Sequence, residues 1–251
     1  MLININNIDK ILEFDEPTHK YNVDDIELIS VTTFFSKYCE KFNSDLIISS
    51  ITKNKNSIYF NRNKEDIEKE WKDTAILGTK MHLNIENFIN GLQINDNKIN
   101  DNKINDNKIN EDNDTIDIYK ELIYFHNFFK NLKYKKLYPE FRVFDIDYKI
   151  AGTIDLLVEN DTENYDIVDW KRSKNISYKS WKKMKNPLHN IPDTNFYKYS
   201  FQLNIYKFIL ERNYNIKIRN MYLIILYHTN EDYIKIDIPE FDQEIKILFG
   251  S

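Results

Sequence analysis

Two aspartates and a lysine in the middle of the chain have types and a spacing that could act together on a metal-bound water. In the run YDIVDWK, Ile167, Asp169 and Lys171 alternate and so share one strand face. Asp169 and Lys171 then stand side by side, about 6.6 Å apart along the strand. In GTIDLLV, the apolar Ile154, Leu156 and Val158 fill one face and leave Asp155 on the other with Leu157. An aspartate in mid-strand among aliphatics is costly to bury unless a cation or donors satisfy it. Two such acids on neighbouring strands, with a lysine two residues beyond the second, suggest a divalent cation and a polarised water.

These residues need rigid elements to hold them. The stretch from Glu140 to Lys171 contains three short runs of alternating polarity separated by polar breaks, which predicts consecutive strands of a meander. Glu140 is expected to begin the first of them. Upstream, Gly78-Thr-Lys-Met-His82 lies on a long predicted helix, from about Lys64 to Gly91, with Glu86 one turn beyond His82. Glu86 is read as a solvated helix residue. Downstream, a helix is expected from Phe196 to Arg212, with Gln202 and Tyr206 on one face.

Taken together, Gly152-Thr-Ile-Asp155, Asp169-Trp-Lys171, the GxxxH segment ending at His82 and the QxxxY segment Gln202–Tyr206 resemble the PD-(D/E)XK nucleases in their RecB-like form. Any one of these is weak alone, but the set occurs in the order that family has. The resemblance implies an α/β fold with a restriction-endonuclease-like core: a central mixed β-sheet flanked by helices, under a helical N-terminal cover. It implies Mg²⁺ or Mn²⁺ held by Asp155 and Asp169, with His82 and the backbone carbonyl of Trp170 as further ligands. Lys171 would orient or activate the attacking water, and Glu140 would be a secondary site acid. The segment His19 to Thr33, a hairpin followed by Ser-Val-Thr-Thr, is similar to the opening of mitochondrial genome maintenance exonucleases and their phage relatives. That likeness implies a DNA exonuclease preferring single strands or free ends, acting in repair, recombination or replication beside a helicase or replication protein. A DNA endonuclease and a non-cleaving DNA-binding subunit are the alternatives. Oligomeric state is left open.

Composition narrows this further. The 251 residues suit one domain, and a net charge of −5 means there is no global basic field, so any grip on nucleic acid must be local. One cysteine, Cys39, cannot form an intrachain disulfide and cannot supply the four thiolates of an iron–sulfur cluster, which some RecB-like nucleases hold. A cluster-free branch is expected. The first residues have neither a basic n-region nor an apolar h-region, and Met221 to Tyr227 is too short to span a bilayer. A soluble intracellular protein with no membrane partner is the expectation.

The local basic feature lies just past Lys171. From there to Pro192 the chain carries Arg172, Lys174, Lys179, Lys182, Lys183 and Lys185 and no acid, with Tyr178 and Trp181 among them. Cations for phosphates interleaved with aromatics for bases suit single-stranded nucleic acid. Gln202 and Tyr206 join this DNA-binding set through the resemblance. Residues 34 to 75 read as helices broken by a polar stretch, and the helices between Val31 and Trp71 are expected to cover the site. Residues 95 to 109 repeat Asn-Asp-Asn-Lys-Ile three times and read as a flexible insert, spanning 92–114, without chemistry. A helix from Thr115 to Leu132 and two late strands, Ile218 to Tyr227 and Tyr233 to Ile238, complete the expected core.

Overall fold

The computed structural model describes residues 3–5, 11–15, 18, 20–94, 113–160 and 164–250; the Asn-Asp-Asn-Lys-Ile repeat lies outside them. In chain order the strands are β1 (Leu12–Asp15), β2 (Lys20–Val23) and β3 (Ile26–Ser30), followed by helices α1 (Val31–Ser36), α2 (Ser44–Lys53), α3 (Lys64–Ile94) and α4 (Asn113–Lys130). Then come β4 (Lys136–Asp145), β5 (Ile150–Glu159), β6 (Asn164–Lys171), α5 (Asn195–Asn213), β7 (Lys217–Ile225), β8 (Ile234–Asp237) and α6 (Asp242–Phe249).

The strands form one mixed sheet in the order β1-β2-β3-β5-β6-β7-β8, with β4 paired to β5 as a branch. The fold is α/β, a large mixed sheet flanked by helices. One face carries α3 and α4: Met81, Ile85 and Ile89 recur at helical spacing and pack with Tyr124, Phe125 and Phe128 against Leu156, Val158, Val168 and Trp170. The other carries α1, α5 and α6, whose Phe35, Phe201, Ile205, Ile209 and Phe249 join Ile154, Ile167 and Leu223. Each fully buried aliphatic or aromatic side chain contributes about 1.5–3 kcal/mol.

Local signals set the ends of these elements. Asp24, with φ +50°, turns β2 into β3, a left-handed conformation that Asp tolerates. The Ser30 hydroxyl accepts from the Thr33 N–H at 3.0 Å and so caps α1. Thr194 caps α5 in the same way, through the Tyr197 N–H. α1 belongs to the core: Val31, Phe34 and Phe35 are buried, and Phe35 stacks on Phe201 with ring centroids 4.7 Å apart. In α2 the buried residue is Ile48, whereas Leu46 is exposed.

The meander is the part that positions the site, and its register is unusual. β4 covers one edge of β5 along its whole length. The opposite edge of β5 is shared, by β3 at Ile150 and Ala151 and by β6 from Leu156 to Glu159. Between those two pairings, residues 152 to 155 face a fork in the sheet. Continuing the Leu156–Val168 register by one step would set Asp155 opposite Asp169, but there the strands part and β6 runs on beside β7.

Candidate metal centre

The fork gathers the chemistry-bearing side chains. Asp155, on the last open residue of β5, accepts a hydrogen bond at Oδ2 from the Trp170 backbone N–H at 2.8 Å. His82 reaches the same oxygen from α3, with Nδ1 3.5 Å away. Glu140 lies directly across the β4–β5 ladder from Asp155, between the paired positions Pro139 and Phe141. Ligand atoms of His82, Glu140 and Asp155 all lie within 4.8 Å of one another, a spacing at which one ion can touch all three.

Glu140 is therefore a central residue and not the start of a strand: it sits in the middle of β4, with φ +46°. A non-glycine residue held there carries strain of about 1–3 kcal/mol and persists only where its surroundings over-determine it. Pro139, just before Glu140, also lies inside β4. Proline is tolerated inside an edge strand, and β4 is one, because among the described residues it pairs with β5 alone. Burial pushes the Glu140 carboxyl up to about 8, with further upward pressure from Asp155, Glu86 and Asp169. Glu86 is thus not a bland surface acid; it is half-buried one helical turn from His82, and Glu140 feels its charge. An imidazole and two carboxylates brought this close together form a donor set that could hold a metal ion.

Asp169 and Lys171 share the face that the alternation predicts, and they touch. The ammonium lies 2.5 Å from Asp169 Oδ2, with both side chains largely buried. Burial alone would lower the Lys171 pKa, but Asp169 and Asp155 outweigh it and keep the lysine charged. Burial and Asp155 push Asp169 up, and Lys171 opposes them. In this arrangement Asp169 is engaged by the lysine, and Glu140 takes the third place in the ligand cluster. Trp170 contributes its N–H to Asp155, and its ring is buried edge-on against Phe125 and Phe128.

The QxxxY pair lies behind the site. Tyr206 is buried, and its ring is so close to β5 that a Cβ added at Gly152 would come within 2.6 Å of it. Gln202 donates to the Tyr206 hydroxyl at 3.1 Å. Tyr206 therefore offers no surface to a DNA base; it braces the strand that carries Asp155. Burial holds its hydroxyl far above the usual tyrosine range.

The basic segment divides. Arg172 leaves the DNA-facing set: its side chain is 4% exposed and pairs with the fully buried Glu121 of α4 at 3.0 Å. It also lies beside His228 Nδ1 and the Tyr227 ring, at the floor of a cleft of about 490 Å³ beneath α3. Lys174, Lys182 and Lys183 are exposed, and Trp181 projects fully into solvent. Tyr178 is half exposed and packs on Phe196, ring centroids 4.4 Å apart. The Lys185 N–H donates to the Tyr38 carbonyl and ties the segment to the end of α1.

No protein-family model and no curated protein matches the chain. Among solved structures, the crystal structure of SSO0001 is 15% identical to it, with a TM-score of 0.29 over 53% of this chain and 57% of that one. A likeness that slight carries no argument about function. Among the described residues, no helix is long and apolar enough to cross a membrane.

Proposed function

We propose that this chain is a metal-dependent nuclease of the PD-(D/E)XK kind, hydrolysing DNA phosphodiesters from free ends with a preference for single strands. The observation that carries the reading is the convergence of His82, Glu140 and Asp155 in the sheet fork beside the Asp169–Lys171 pair. A bound Mg²⁺ or Mn²⁺ would supply Lewis acidity toward a phosphoryl oxygen and lower the pKa of water. His82, Glu140 and Asp155 would hold it, and Glu86 would add negative charge behind them.

The remaining chemistry belongs to the chain. Lys171, kept protonated by Asp169 and Asp155, can donate to a phosphoryl oxygen and stabilise the charge that develops there. Asp169 fixes the ammonium in place, so that little reorganisation is needed as that charge grows. Trp170 N–H pins Asp155, and the buried Trp170 ring anchors that N–H to the α3–α4 core. The preference for single strands rests on Trp181 and Tyr178 beside exposed lysines, which suit flexible bases and their phosphates.

The test compares linear single-stranded, linear duplex and covalently closed circular single-stranded DNA, each with Mg²⁺ and with Mn²⁺. Fast loss of the linear strand alone is expected. Rapid cutting of the closed circle would replace the exonuclease reading with an endonuclease. No cutting of any substrate with either ion would remove the nuclease reading.

A further inference from the structure

Lys171 lies between two side chains of different kinds. Its ammonium is 2.5 Å from Asp169 Oδ2. It also lies over the ring of Tyr199, 4.9 Å from the centroid. Tyr199 comes from α5 and stands outside the QxxxY segment. It precedes Gln202 by three residues and Tyr206 by seven, so the three share one stripe of that helix. α5 therefore reaches both strands of the fork: Tyr206 lies against β5 at Gly152, and Tyr199 lies against Lys171 at the end of β6.

The two contacts differ in what they fix. A lysine ammonium is a point charge on a flexible four-carbon stem, with three rotatable donors. One carboxylate holds it at a distance but leaves the stem free to swing about that contact. An aromatic face attracts the cation electrostatically, most strongly where water is excluded. Lys171 is largely buried and Tyr199 partly so, and the attraction acts in such a place. A second carboxylate where the ring stands would also hold the ammonium. It would, however, take up another N–H and set negative charge beside an incoming phosphate. The ring does neither, and the ammonium keeps donor capacity for a phosphoryl oxygen.

We propose that Tyr199 is a positioning residue for the cleavage reaction: its ring holds the Lys171 ammonium beside Asp169, so that the charge meets a substrate phosphate already in place. This rests on the nuclease reading and deepens it. A fixed cation is effective because it needs no reorganisation as charge develops on the phosphoryl group. A contact that acts through Lys171 in this way is felt in kcat and not in KM. The tyrosine hydroxyl has no part in it, so phenylalanine can take its place.

The experiment compares Tyr199→Leu and Tyr199→Phe on linear single-stranded DNA. Leucine is apolar but has no π-face, and it should lower kcat about 10-fold with KM little changed, the loss of one cation–π contact in a desolvated place. Phenylalanine keeps the face and should keep kcat. A second readout needs no cleavage: NMR of the lysine methylene and ammonium groups, with the Lys171 signals identified by their absence in Lys171→Arg. Groups held over a ring are shifted upfield by its ring current, and that shift should persist in Tyr199→Phe and vanish in Tyr199→Leu. Wild-type kcat in Tyr199→Leu overturns the inference and leaves the nuclease reading standing. Tyr199→Phe as slow as Tyr199→Leu also overturns it, because the hydroxyl would then be the active part. So does a raised KM at unchanged kcat, because the ring would then bind the strand itself. Should Tyr199→Leu fail to fold, the wild-type spectrum decides: Lys171 signals placed like those of exposed lysines overturn the contact. If the wild-type protein cuts no DNA with either ion, the nuclease reading falls and this inference with it.

Discussion

Gly152→Ala separates steric support of the site from its chemistry. Gly152 has no left-handed backbone that would demand glycine, so its requirement is space alone. A methyl group there would lie 2.6 Å from Tyr206 Cε1, 2.9 Å from its hydroxyl and 3.1 Å from Cζ. Ordinary contact begins near 3.4 Å, so the ring or the strand must give by close to 1 Å. Neither is loose: Tyr206 is buried and bonded to Gln202, and β5 is tied to β4 at Val143. Overpacking of this kind costs about 1–3 kcal/mol, which in a chain of this size lowers Tm by roughly 2–12 °C. Asp155 lies three residues along the same strand, and a 1 Å misplacement of a reacting group can cost about 10²-fold in rate. Thermal unfolding by circular dichroism and turnover on linear single-stranded DNA measure the two effects. Tyr206→Leu in the same chain opens the space and should recover most of the lost Tm. A Gly152→Ala protein with wild-type Tm and wild-type turnover would refute the bracing role given to Tyr206.

Four further outcomes are expected. Asp155→Ala, Asp169→Ala and Lys171→Ala each abolish cleavage, with DNA binding retained in the lysine variant; wild-type turnover in any one removes that residue from the chemistry. His82→Ala weakens Mn²⁺-supported activity, seen as a rightward shift of the Mn²⁺ titration, and coincident curves would return His82 to a structural role. Glu121→Ala removes the buried carboxylate that pairs with Arg172 and costs about 3–5 kcal/mol in urea unfolding; a loss under 1 kcal/mol would show the pair to be dispensable. Asp166 tests pH dependence: burial alone would raise its pKa, but donors from Arg219, Tyr222 and Asn220 outweigh that and hold the carboxyl below its usual range. A depressed folded pKa means the contribution is complete above the ordinary aspartate range, near pH 4, and is lost as pH falls through the folded value. Asp166→Asn should therefore be less stable than wild type at pH 7, with the difference shrinking at acid pH. A pH-independent gap would contradict this.

The meander and the main helices were legible because their signals are local. Period-two alternation marked β5 and β6 as strands but misplaced the faces of β5. There Ile154 packs with Leu157 on the α5 side, and Leu156 and Val158 pack on the α3–α4 side. The expected helix at Phe196 to Arg212 matches α5 to within a residue at each end. The shared face of Asp169 and Lys171 followed from the same period. What sequence could not show was pairing at a distance. Counting lysines and arginines placed Arg172 among the DNA contacts, but it pairs with Glu121, 51 residues away on α4. Glu86 looked solvated because its neighbourhood depends on how α3 crosses the fork. Tyr206 stood in a recognisable spacing, yet only its closeness to Gly152 shows that it braces the strand.

The central claim is that the sheet fork holds a divalent cation between His82, Glu140 and Asp155. Crystals soaked in Mn²⁺ and measured near the manganese absorption edge test it directly. The account predicts an anomalous peak within bonding distance of all three side chains, lost in Asp155→Ala. An active protein whose only manganese peaks lie away from the fork would contradict it.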